Sequence, residues 1–164
     1  MQELNSDYFE NLAKKCLPIS HTAAQKAYFE IEDPEELNEF DEALRSMVKE
    51  TCMLLVSEGG ELDDNGSENY TDTVEYQVYI LRRKKTTNSI SGIRAEAKSI
   101  LVEVLKKIKV DFRTNVKSRF RISNTTYVKV GPMGDEGQWY GYTAILRFIC
   151  PFASGLKGGI WSDN

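Results

Sequence analysis

The chain has 164 residues, 41% of them apolar and 28% charged, with a formal net charge of −4. That supply of apolar residues can build one core and excludes a disordered chain, which lacks the large apolar and aromatic residues needed to fold. No apolar run approaches the roughly 20 residues that span a bilayer, and the start Met1-Gln2-Glu3-Leu4 lacks the basic and apolar stretches of a secretory signal.

In chain order, residues 5–16 carry a helical stripe of Tyr8, Phe9, Leu12 and Ala13, with Ser6 or Asn5 as cap and Pro18 as stop. Residues 26–31 are expected to form a short strand. Residues 34–50 have strong helix signals. Asp33 is the N-cap, Pro34 the first helical residue, and Glu36 sits three after the cap. Leu37, Phe40, Leu44, Met47 and Val48 share one helical face. Residues 51–57 read as a strand. Gly59-Gly60 and Asp63-Asp64-Asn65-Gly66-Ser67 read as a polar loop. Residues 72–83 alternate apolar Val74, Tyr76, Val78 and Ile80 with Glu75, Gln77 and Tyr79, a strand pattern.

Residues 89–110 give the clearest helix. Ser89 caps it, and Ile90, Ile93, Ala97, Ile100, Leu101, Val104, Leu105 and Ile108 keep a three-and-four spacing. Arg94, Lys98, Lys106, Lys107 and Lys109 fall off that stripe. Two strands are expected near 120–130 and 138–149. The second places Tyr140, Tyr142, Ala144, Leu146 and Phe148 on one side. Residues 131–137, with three glycines and a proline, form the hairpin between them.

The expected fold is therefore α+β: an antiparallel β-sheet covered on one face by a long amphipathic helix, with an N-terminal helical segment. Residues 1–50 form that segment, 51–152 the core, and 153–164 a Gly- and Ser-rich tail.

Charge is sorted along the chain. Residues 1–72 hold 18 acidic and 5 basic residues, whereas residues 82–121 hold 13 basic and 3 acidic ones. Arg82, Arg83, Lys84 and Lys85 end a strand, and Arg113, Lys117, Arg119 and Arg121 surround the start of the next. These eight are the candidate interface residues. They suit a solvated basic face or the acidic half of a neighbouring copy or, as second choice, a nucleic acid. No stacking aromatics are interleaved with the basic cluster, which weighs against nucleic acid.

No catalytic, metal or cofactor site is expected. Cys16, Cys52 and Cys150 are odd in number and far apart, fitting buried reduced thiols and a cytoplasmic site of synthesis. His21 near Cys16 suggests a nucleophilic pair only by proximity in sequence, and a loop or capping role through hydrogen bonds to backbone is the expected one. Glu61, Asp63, Asp64, Asn65, Gly66 and Glu68 lack calcium-loop spacing. Asp72, Glu75 and Gln77 lack the lysine of a metal nuclease strand. Gly131, Gly134 and Gly137 precede a strand rather than a helix, unlike a phosphate loop.

Residues 50–150 run strand, strand ending in Arg82-Arg83-Lys84-Lys85, long helix, strand, Val130-Gly131-Pro132, and a closing strand with Trp139-Tyr140-Gly141-Tyr142. This order resembles the tail-terminator and tail-completion (neck) proteins of tailed phages and prophages. In that family the last strand often carries a Tyr-Gly pair before an alternating apolar run, matched here by Tyr140-Gly141 and Tyr142 to Phe148. The resemblance implies a non-enzymatic virion protein that forms a homo-oligomeric ring and contacts other tail or neck proteins. It also implies location in the virion, or in the bacterial host cytoplasm during assembly. A ring subunit needs two complementary sides, which sorted charge can supply.

Overall fold

The computed structural model describes residues 6–32, 40–42, 44–45, 50–64, 70–114, 121–122, 125–134 and 136–151. Helix α1 (Ser6–Lys15) has Asp7 in its first turn and Lys14 and Lys15 in its last, both favourable to the helix dipole. It buries Tyr8, Phe9, Leu12 and Ala13, the stripe read from the sequence. Strand β1 (Tyr28–Ile31) follows. Residues 40–42 and 44–45 are helical, inside the helix expected at 34–50, and Phe40 and Leu44 are buried. Leu37, Met47 and Val48 lie outside the described residues.

Strand β2 (Thr51–Asp63) is longer than the expected 51–57. Gly59 and Gly60 do not start a loop. The register against β3 (Thr71–Arg83) shifts between Ser57 and Gly59, so Glu58 is the extra residue of a bulge. Gly59 takes φ +88° there, which favours glycine. At Gly60 a Cβ would stand 2.7 Å from the Thr73 carbonyl oxygen. Both glycines thus keep the strand going.

Helix α2 (Ile90–Thr114) starts where Ser89 Oγ accepts the Gly92 N–H at 3.1 Å. It runs four residues past the expected end and so adds Phe112 to a buried row of Ile93, Ala97, Leu101, Val104 and Ile108. The strand expected at 120–130 is two strands, β4 (Arg121–Ile122) and β5 (Thr126–Met133). Strand β6 (Trp139–Pro151) closes the described fold. Ile122 registers with Phe148 and Val128 with Thr143, so the parity shared by Ile122 and Val128 is lost across the break.

The strands form one sheet in the order β1-β2-β3-β6-β4, with β5 also on β6. The α+β class and the covering helix are as expected. One pairing departs from an antiparallel sheet, since β1 runs parallel to β2, with Tyr28 opposite Met53 and Ile31 opposite Val56. Helices α1 and α2 share one face. Phe9 meets Tyr76 at 5.3 Å between ring centroids, and Phe112 meets Phe148 at 5.4 Å. The other face is covered in part by the helical residues 40–42 and 44–45, where Phe40 packs edge-on to Phe29 at 5.2 Å. One buried cluster joins Tyr8, Phe9 and Phe29 to Leu54, Ile80, Leu101 and Phe148, so the described part of 1–50 is built into the core. The tail at 153–164 lies outside the described residues.

Candidate functional site

The described candidate interface residues fall into two groups that do not meet. Arg83 on β3 is opposite Trp139 on β6, whereas Arg121 on β4 is opposite Ile149, ten residues further along β6. At about 3.3 Å per residue that places them roughly 33 Å apart, at opposite ends of the sheet. Arg113, exposed in the last turn of α2, belongs with Arg121 at the far end. Lys117 and Arg119 lie outside the described residues, as does the side chain of Arg121.

At the near end the cations are largely paired. Arg82 binds Glu96 on α2 and lies 3.8 Å from Glu50, and Lys85 also binds Glu50. The hydrogen bond from Lys85, with the charges of Lys85 and Arg82 behind it, holds the Glu50 carboxyl below the usual carboxylate range. Arg83 Nε donates to Gln138 Oε1 at 3.1 Å. It lines a cleft of about 110 Å³ with Asp41, Arg45, Glu136 and Trp139. Lys84 is exposed and has no ion-pair partner among the described residues.

The basic side of α2 is neutralised in the same way. Lys106 pairs with Glu103 at 2.6 Å, and Lys107 pairs with Asp111. Arg94 donates to the Gly131 carbonyl at 3.1 Å and stands over the Tyr140 ring at 5.4 Å, so it braces the β5–β6 hairpin. Lys98 lies over the Tyr127 ring at 4.8 Å. The described cations of residues 82–121 are thus spread over two ends and a flank, and Arg82, Lys85, Lys106 and Lys107 are paired with acids of the same chain.

The other candidates are separated by geometry. His21 is buried, and both its nitrogens are engaged. Nδ1 accepts the N–H groups of Ala27 at 3.0 Å and Tyr28 at 3.3 Å, so Nε2 carries the proton and donates to Glu10 Oε1 at 3.2 Å. Neither nitrogen is free to act as base for Cys16, and burial pushes that thiol up. Glu75 is paired with Arg147 at 2.5 Å, and Gln77 donates to Glu58. Asp72 and Glu75 have opposite strand parity, so they do not converge. Glu61 and Asp63 belong to β2, while Asn65, Gly66 and Glu68 lie outside the described residues. Among the described residues no group of three or more His, Cys, Asp or Glu could hold a metal ion. No described helix is long and apolar enough to cross a membrane.

The loop role expected for His21, hydrogen bonding to backbone, is the one the structure shows, whereas sequence reading missed Arg94 as a brace. No local pattern marks Arg94, because it acts through residues distant in the chain.

Burial pushes the phenols of Tyr8, Tyr28, Tyr76 and Tyr79 above the ordinary tyrosine value, with nearby carboxylates adding to the effect. Folding therefore holds protons that the unfolded chain releases above about pH 10. The stability these groups contribute is full below that pH and is lost as pH rises through the folded values. An alkaline titration should show their phenolate absorbance rising in one step with the loss of the circular dichroism signal. A gradual rise while the fold persists would contradict it.

No protein-family model and no curated protein matches the sequence.

Proposed function

We propose that this chain is a structural subunit of a tailed phage or prophage, a tail-terminator or head–tail joining ring protein. It works through self-assembly and contact with other tail or neck proteins, in the virion or during assembly in the host, and has no turnover. The observation that carries this reading is the charge on the two lateral flanks of the sheet. On the β2 side Glu58, Glu61, Asp63 and Asp64 form an acidic flank. On the β5 side Lys129 on the strand and Arg94 and Lys98 on α2 form a cationic one. A subunit with two different, complementary flanks joins head to tail, and head-to-tail contacts close into rings when the rotation allows. The Tyr140-Gly141 pair and the run to Phe148 on β6, in the strand order of the resembled family, give the reading its family.

Nucleic acid is the weaker reading. Its candidate cations are divided between two ends, and Arg82 and Lys85 already hold carboxylates.

Light scattering and electron microscopy of the purified chain are expected to show rings, at high concentration or on addition of the cognate tail-tube protein. A strict monomer under both conditions overturns the reading. Binding to DNA or RNA with log affinity falling linearly in log salt would replace it with the nucleic-acid one.

A further inference from the structure

On each lateral side of the sheet a stretch of edge beside the short outer strand has no described strand against it, on β2 beyond β1 and on β5 next to β4, and the two stretches differ in kind. β1 pairs only with residues 53–56 of β2, so residues 57–63 have a described strand, β3, on one side alone. That stretch carries Glu58, Glu61 and Asp63 and no basic residue, and Leu62 within it is 68% exposed. At the opposite edge β5 has β6 on one side and no described strand on the other. Residues 126–129 of β5 are all exposed, Val128 to 57% and Tyr127 to 45%. Lys129 is the charged residue of β5, which holds no acid.

An open edge presents a row of unpaired N–H and C=O groups, and proteins blunt such edges with bulges and charge. The β2 edge is blunted both ways, by the bulge at Glu58 and by three carboxylates. The β5 edge carries a single lysine, Lys129, and its register shift, between Val130 and Met133 with Pro132 inside it, lies beyond the exposed run 126–129. Its Thr-Tyr-Val run is made of residue types that favour strands. Two acidic β2 edges repel each other. An acidic β2 edge against the cationic β5 edge is the pairing that charge favours.

We propose that a second copy of this chain occupies the β5 edge, adding residues 57–63 of its own β2 to the sheet. Each copy then keeps one β2 edge and one β5 edge for its neighbours, and the sheet continues from subunit to subunit. This interface rests on the ring reading above and names the surfaces that build it.

Hydrogen exchange of the full chain, compared between the assembled form and the monomer at high dilution, tests the pairing. Amides within 57–63 and 126–130 are expected to exchange about tenfold or more slowly in the assembly, while those of the central residues 78–81 stay unchanged. Assembly in which both edges exchange as fast as in the monomer overturns edge pairing and leaves the ring reading standing. A chain that is monomeric at every concentration, with or without the tail-tube protein, overturns both. Lys129→Glu should weaken association about tenfold, and adding Glu61→Lys should restore it. Thermal melts confirm that both variants fold. A double variant that associates no better than Lys129→Glu overturns the β2–β5 pairing.

Discussion

Gly141→Ala is expected to cost the fold about 4 kcal/mol or more, and Gly141→Val to prevent folding. A Cβ at position 141 would stand 1.8 Å from the Ile80 carbonyl oxygen, 2.9 Å from the Ile80 carbonyl carbon and 3.1 Å from the Leu81 Cα. All three are backbone atoms, so no rotamer change relieves the clash. Gly141 sits in β6 opposite Leu81 on β3 and opposite Val130 on β5. Moving it away from β3 therefore disturbs the ladders on both sides of β6. Gly92→Ala is the control. Its Cβ would meet only the Ser89 hydroxyl, at 3.0 Å, and alanine favours a helix over glycine. Urea denaturation should separate the two variants widely. A Gly141→Ala chain within about 1 kcal/mol of the parent would mean that β6 can shift without loss, contrary to the packing described.

The same glycine bears on the family resemblance. The Tyr140-Gly141 pair is a packing feature: Tyr140 carries Arg94 over its ring, and Gly141 admits β3 at close range. A sequence pattern that serves strand packing marks a fold more directly than an activity. That is why the ring reading leans on the charge of the flanks and takes only its family from the dipeptide.

Elements that carry their own signals were legible in the sequence. Helix α2 announces itself through Ser89 and a long apolar stripe, and β6 through its alternation from Tyr142 to Phe148. Where a local signal has two structural uses, reading it alone misplaces the boundary. Gly59-Gly60 suits a loop and a bulge equally, and only the register against β3 selects the bulge. The four residues of β1 carry no mark of direction, and their parallel pairing with β2 depends on the path of residues 32–50. The candidate site fared worse for a similar reason. Arg82–Lys85 and the cations Arg113 and Arg121 are neighbours in a charge plot, but the chain crosses the length of the sheet between them along α2. Glu50 and Glu96 reach Arg82 from before and after it in the chain, and no composition window shows that they cancel it.

His21→Ala is expected to destabilise the chain by about 2–6 kcal/mol, because it leaves two buried N–H groups without an acceptor, each costing about 1–3 kcal/mol. The imidazole is only 7% exposed. Its Nδ1 receives Ala27 N–H and Tyr28 N–H, and the Ala27 carbonyl in turn accepts Met53 N–H at 2.9 Å. One ring therefore ties the connection after α1 to the entry of β1, at the point where β1 joins β2. The bond from Nε2 to Glu10 draws α1 into the same knot. Asparagine offers an amide oxygen close to the place of Nδ1 but has nothing to reach Glu10. His21→Asn should therefore recover part of the loss, whereas His21→Leu should not. Equal melting of the alanine and asparagine variants would mean that the acceptor role of Nδ1 is not what stabilises this junction. If it is, the single histidine of the chain is accounted for by architecture, and the edge strand β1 owes its position to a side chain seven residues before it.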